Sequence, residues 1–197
     1  MTINFRQMIL HPNDADFSIE SSALLAILAQ LGLTGARLDT QLDTSGEQQF
    51  LVGEHFLQHI SFMGCAPAIE FAPEQEGDLS DIAKLQQFIF VHVPEPADTP
   101  HWLADLDMAK PICPACKKRF PRWSEYIDKP NMTCPHCRQS SRVCDFGWRE
   151  FGGCAKNMVS IVNAYPKETI PSGNLLSQLA KLTGVEWDYF YFNGPLL

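Results

Sequence analysis

The stretch FIFVHV, residues 88–93, sets the frame for the rest of the chain. A β-strand sends successive side chains to opposite faces, and here both sets are dominated by Phe, Ile and Val, so the run reads as an interior strand covered on both sides. Just upstream, DLSDIAKLQQ (78–87) reads as a short helix starting near Asp78 or Ser80. Before it, QQFLVGEHFLQHISFMG (48–64) mixes β-branched and aromatic residues with alternating stretches, which predicts one or two strands with Gly53 as a bend or bulge. Further out, SIESSALLAILAQLGLTG (18–35) predicts a helix capped by Ser21 or Ser22 and stopped by Gly32, with apolar residues on nearly every side and so deeply packed. Downstream, SRVCDFGWREFGG (141–153) and MVSIVNAY (158–165) read as strands, SGNLLSQLAKLTG (172–184) as a capped amphipathic helix closed by Gly184, and WDYFYF (187–192) as an aromatic strand that ends the chain in its core.

Helix followed by buried strand on both sides of the middle of the chain predicts an α/β (or α+β) fold: a mixed sheet with packed helices built from both flanks. A faint echo joins those flanks. Each runs Gly-Cys-Ala (64–66 and 153–155), an extended segment, a helix containing Ala-Lys-Leu, and an aromatic strand. PEPADTPHW (94–102) carries Pro94, Pro96 and Pro100 and favours extended chain, which makes it the best linker. The expected organisation is therefore a first part of the body over 1–93, a Pro-rich linker over 94–112, an inserted module over 113–137, and the second part of the body over 138–197. With 197 residues and 45% hydrophobic composition, the chain can fill one core plus a small module. Its N-terminus lacks the basic start, apolar run and cleavage site of a secretory signal, and no apolar stretch approaches the ~20 residues of a membrane span. The expectation is a cytoplasmic protein with no membrane partner.

The inserted module, CPACKKRFPRWSEYIDKPNMTCPHC (113–137), holds four of the seven cysteines. Cys113 and Cys116 are separated from Cys134 and Cys137 by 17 residues, within the C-x2-C-x15-20-C-x2-C window of zinc sites. Each Cys-x-x-Cys turn aims two sulfurs at one centre, two such turns complete a tetrahedron of thiolates, and the proline after each first cysteine fixes its own φ. This segment resembles a zinc ribbon with two CPxC knuckles, and the resemblance implies one structural Zn2+ on those four cysteines. It departs from many such knuckles in placing Lys117 and Arg138, not glycine, after the second cysteine of each pair. CPHC also resembles the active-site tetrapeptide of thioredoxin-fold disulfide oxidants, which would make Cys134 and Cys137 a redox pair. The buried strand before the motif and the helix after it that such a site needs are missing, and His136 reads as a solvent-facing turn residue.

The formal charge of -8 is unevenly spread. Residues 110–150 hold nine Lys/Arg against four acids, a local +5, leaving -13 for the remainder. Within the module Phe120, Trp123 and Tyr126 interleave with Arg119, Arg122 and Lys129. Arg119, Arg122, Trp123, Tyr126 and Lys129 are thus candidate contacts for a protein partner or for nucleic acid, although one or two of the rings must shield the metal or dock on the anionic body. A second candidate site comprises Glu54, His55 and His59, where the histidines share a face in helix or strand, with Cys65, Glu70 or His92 as candidate further members. Cys65, Cys144 and Cys154 lack paired spacing and read as packing thiols, with a symmetric thiol pair as the alternative if the echo is real. No phosphate loop or Gly-x-Ser-x-Gly elbow is present. These readings favour a zinc-binding adaptor with a basic-aromatic face over an enzyme acting near His55 and His59 or a thiol oxidoreductase.

Overall fold

The computed structural model describes residues 4–38, 48–63, 70–73, 82–120, 122–128 and 130–197. In chain order these form β1 (Phe5–Pro12), α1 (Ser21–Gln30), β2 (Thr34–Arg37), β3 (Gln48–Val52), α2 (Phe56–His59), β4 (Ile60–Phe62), α3 (Ile82–Leu85), β5 (Phe90–Val93) and β6 (His101–Ala104). They continue as β7 (Ile127–Asp128), β8 (Asn131–Thr133), β9 (Ser140–Arg142), β10 (Gly152–Ala155), β11 (Val159–Val162), β12 (Thr169–Pro171), α4 (Gly173–Thr183) and β13 (Trp187–Gly194).

The body is a six-stranded sheet in the order β13-β1-β11-β5-β3-β2. Every strand pair in it is antiparallel. The expected α/β (or α+β) mixed sheet with helices packed from both flanks is therefore corrected to a predominantly antiparallel β fold. Parallel neighbours need a long crossover, usually helical, on a face of the sheet. Here the two helices longer than one turn among the described residues, α1 and α4, both pack into one cluster: Leu24, Leu28, Leu175 and Leu179 meet Met8, Leu10, Val91 and Ile161. The opposite face carries Phe5, Phe90 and Val162 in one cluster and Ile9 and Phe190 in another, without either of these helices.

β5 lies between β11 and β3 with all four residues buried, as FIFVHV predicts. On the face away from α1 and α4 it contributes His92, which stands opposite both Ser160 and Gln49. Buried polar side chains in such a row need partners. Ser160 Oγ donates to Gln7 Oε1 at 2.9 Å, Gln7 Nε2 donates to the Pro195 carbonyl at 2.8 Å, and His92 Nε2–H donates to the Leu197 carbonyl at 2.9 Å. Residues 195–197 thus lie over this row.

α4 begins and ends where its sequence predicts: the Ser172 hydroxyl accepts from the Leu175 amide at 3.1 Å, and Gly184 closes the helix at φ +80°. α1 stops at Gly32 (φ +64°), but neither Ser21 nor Ser22 caps it. Glu20 holds the cap position, and Ser21 Oγ donates instead to Glu95 Oε2. Nor is α1 buried all round; Ser21, Leu24 and Leu28 form the buried stripe and the alanines face outward. Between β3 and β4 the chain makes the single turn of α2, with Gly53 at the bend. A Cβ on Gly53 would stand 2.2 Å from the Gly32 carbonyl oxygen, so the two turns can touch only through glycine. The start expected for α3 and the first Gly-Cys-Ala of the echo fall outside the described residues.

His11, on β1, stacks edge-on against Phe190 with ring centroids 5.3 Å apart, and its Nδ1–H donates to the Pro12 carbonyl at 2.9 Å. Burial pushes its pKa below the ordinary 6.5, outweighing the Pro12 bond and the nearby Asp188, both of which raise it. The unfolded chain therefore takes up this proton first. The contribution of a neutral His11 is fully present above about pH 6.5 and is lost as pH falls through the lower folded value. Urea midpoints measured from pH 8 to 5 should fall more steeply for the wild type than for His11→Gln; parallel curves would remove His11 from the acid response.

Candidate metal centre

The two Cys-Pro-x-Cys turns adopt one local pattern. In the first, the Cys113 amide donates to the Lys118 carbonyl and the Lys117 amide to the Cys113 carbonyl, both at 3.0 Å. In the second, the Cys134 amide donates to the Gln139 carbonyl at 3.0 Å and the Arg138 amide to the Cys134 carbonyl at 2.8 Å. Lys117 and Arg138 sit at φ +58° and +61°, the left-handed conformation that glycine takes more cheaply. β8 and β9 extend the second turn as a hairpin, with Thr133 opposite Ser140. The first is braced by Ile112, which bridges both Arg119 and Gly147.

These turns bring four sulfurs within 4.8 Å of one another. Two contacts cross between the pairs, Cys113 Sγ to Cys137 Sγ and Cys116 Sγ to Cys134 Sγ, each 3.7 Å. A regular tetrahedron of sulfurs about 2.3 Å from a central metal has edges of about 3.8 Å. The donor set therefore fits a four-thiolate metal site.

Beneath the sulfurs lies a local core of Phe120, Trp123, Met132, Val143, Phe146 and Trp148, packed with Cys113 and Cys134. Trp102, from β6, stacks on Trp148 with centroids 6.1 Å apart, and Trp123 meets Trp148 edge-on at 4.9 Å. β6 pairs with β10, Cys154 facing Trp102, so residues flanking the motif on both sides complete this cluster. Cys113 and Cys134 are buried, Cys116 half-buried and Cys137 exposed.

Cys113 and Cys137 differ as acids. Burial alone would raise the Cys113 thiol, but the amides of Cys116 and Ala115 and the thiols of Cys134 and Cys137 bring it down to about 7. For Cys137 the Gln139 amide favours the thiolate, yet desolvation and the sulfurs of Cys113, Cys134 and Cys116 together push it up to about 11. One thiolate forms readily and makes the next harder, as crowded like charges must. A divalent cation at the centre removes that conflict.

The left-handed residues give a direct test of the knuckle geometry. Lys117→Gly should raise the stability of the metal-loaded protein by up to about 1 kcal/mol, relief of the backbone outweighing the extra freedom of glycine when unfolded. Lys117→Val should lower it by about 1–2 kcal/mol, because a β-branched residue resists positive φ. Equal midpoints for the two variants would contradict the observed backbone.

Of the candidate partner contacts, Arg119 and Arg122 are exposed and Tyr126 is half-buried with its ring edge-on to Phe120. Trp123 is 1% exposed and belongs to the local core. Lys129 lies outside the described residues. Lys117, Lys118 and Arg138 are exposed beside the Arg119 edge, and His136, also exposed, sits with Nε2 3.3 Å from the Arg119 carbonyl. Arg142 is committed elsewhere: it pairs with Asp16 at 3.0 Å and Asp145 at 3.2 Å, tying β9 to the loop after β1.

The second candidate site does not assemble. His55 and Glu54 form an exposed pair at 3.4 Å, whereas His59 turns inward, its Nε2–H donating to the Leu31 carbonyl at 2.8 Å. His92 is bonded to Leu197, the Glu70 carbonyl accepts from the Ile89 amide, and Cys65 lies outside the described residues. Among the described residues the four cysteines are the one group of three or more His, Cys, Asp or Glu placed to hold a metal ion.

Cys144 and Cys154, expected to be packing thiols, are instead joined as a disulfide. Their separation of 10 residues fits no motif. Only the 3-10 turn Val143–Asp145 and the placement of β10 bring them together. No described helix is long and apolar enough to cross a membrane. No protein-family model, curated protein or solved structure matches this chain.

Proposed function

We propose that this protein is a zinc-binding adaptor in which one structural Zn2+, held by Cys113, Cys116, Cys134 and Cys137 in a zinc-ribbon module, presents a basic edge to a partner. The observation that carries this reading is the convergence of four sulfurs within 4.8 Å, with two cross-pair separations of 3.7 Å close to a tetrahedral edge. Four protein thiolates leave no open coordination position, so the metal's part is to fix the module rather than to activate water or substrate. A reducing, cytosolic setting suits this role, because it keeps the ligands as thiols until metal binds.

The partner surface is the exposed cationic edge of Arg119 and Arg122, joined by Lys117, Lys118 and Arg138 at the knuckle tips. Its chemistry suits an acidic protein segment or a nucleic-acid backbone. Burial of Trp123 and Phe120 removes two of the rings a base-stacking platform would use, which favours the acidic protein segment.

Metal analysis of the purified protein should find one zinc per chain, falling at least tenfold in Cys113→Ser; unchanged content in that variant defeats the assignment. With a polyglutamate peptide and a mixed-sequence single-stranded oligonucleotide as probes, binding should be salt-sensitive and should weaken on Arg119→Ala with Arg122→Ala. Binding of both probes that ignores the double substitution excludes this edge as the contact.

A further inference from the structure

The Cys144–Cys154 bond joins the turn after β9 to β10, which pairs with β6 in a two-stranded ribbon apart from the six-stranded sheet. Cys144 lies in the 3-10 turn that follows β9, and Cys154 lies in β10 directly opposite Trp102. Their Cα atoms are 5.3 Å apart, inside the range that a disulfide bridges without moving backbone. The chain between them carries Trp148, which packs against Trp102 and Trp123. The two residues also differ in exposure: Cys154 is 6% exposed, whereas Cys144, in the middle of its turn, is half-buried. Neither belongs to the four-sulfur cluster.

We propose that Cys144 and Cys154 are a reversible thiol–disulfide exchange site for a small thiol/disulfide couple of the glutathione class, with Cys144 as the sulfur that meets the reagent and Cys154 as the resolving thiol. In the oxidising direction the Cys144 thiolate attacks one sulfur of the small disulfide, forming a mixed disulfide and expelling one small thiolate. The Cys154 thiol then loses its proton and attacks the Cys144 sulfur, closing the bond and expelling the second small thiolate. Two protein thiols are thereby oxidised and one small disulfide is reduced to two thiols. Reduction runs the same steps backwards, a small thiolate attacking Cys144 and releasing Cys154. Access dictates this order, because exchange requires the attacking sulfur to approach in line with the bond it breaks. In the oxidised state a covalent tie holds the module against β10. In the reduced state the junction retains the tryptophan packing and the Arg142–Asp16 ion pair.

The site is independent of the zinc assignment, and its test keeps the two apart. Full-length, metal-loaded protein is equilibrated in glutathione buffers of graded ratio, quenched in acid, alkylated and mapped by peptide mass. Cys144 and Cys154 should pass together between bonded and free while the protein stays folded. Failure of the zinc reading would show as free reactivity at Cys113 to Cys137 and leave this result untouched. Cys154→Ser treated with glutathione disulfide should accumulate one adduct at Cys144, and Cys144→Ser should form an adduct at Cys154 at least tenfold more slowly. Disulfides quench nearby indoles, so wild-type tryptophan emission should rise on reduction and fall again on reoxidation, which tests the proposal even if a variant fails to fold. A bond that resists excess small thiol until the protein unfolds, adducts that favour Cys154, or an emission change that does not reverse would each overturn it.

Discussion

Withdrawing the metal with a strong chelator is expected to disorder the module and erase the near-ultraviolet signal of Trp102, Trp123 and Trp148. The three rings share one cluster with Cys113 and Cys134, so loss of the central ion releases both the sulfurs and the core built on them. Structural zinc sites in small modules bind with about 10–16 kcal/mol of apparent free energy, more than a core of this size supplies by burial. The expected result is a denaturation profile with an early phase after chelation that returns to the wild-type midpoint on adding back zinc. Acid should mimic the chelator, since protons compete for the thiolates. A chelated protein with unchanged spectrum and midpoint would show that the four sulfurs do not depend on an ion for their arrangement.

The second large effect is expected from Trp123→Ala. At 1% exposure, this ring is among the largest fully buried side chains of the protein, and no smaller residue can maintain contact with Trp102, Trp148 and the cysteine turns at once. Truncating a buried Trp costs about 3–5 kcal/mol. Urea unfolding of the metal-loaded variant should show that loss, together with weaker metal retention. An alternative result, unchanged stability with lost partner binding, would place the ring at the surface and restore it to the contact face suggested by its sequence neighbours.

Local chemistry was legible in the sequence wherever a few adjacent residues determine the backbone. The Ser172 cap and Gly184 stop of α4, the left-handed Gly32, the bend at Gly53 and both cysteine turns follow from such residues. So does the interior position of β5, because its pattern reports two buried faces. Strand direction and order did not follow. β1 pairs with β11 and β13, and nothing within its eight residues names those partners. Alternating helix and strand suggested crossovers that the antiparallel sheet does not use. The serine cap expected for α1 does not form for a similar reason, since the acceptor that captures Ser21 is Glu95, far along the chain. Glu54, His55 and His59 do not converge, because a single turn, α2, places His59 in the interior and leaves His55 outside.

Pairing of β1 with β13 and β11 also orders events in time. During synthesis β1 emerges early, yet the first residues that can flank it, Val159–Val162, follow only after the entire metal loop has left the ribosome. Cys113 and Cys137 are only 24 residues apart, so that loop closes at small entropic cost. The nascent chain should therefore capture its ion first, while β1, still lacking both neighbours, is the segment most in need of a chaperone.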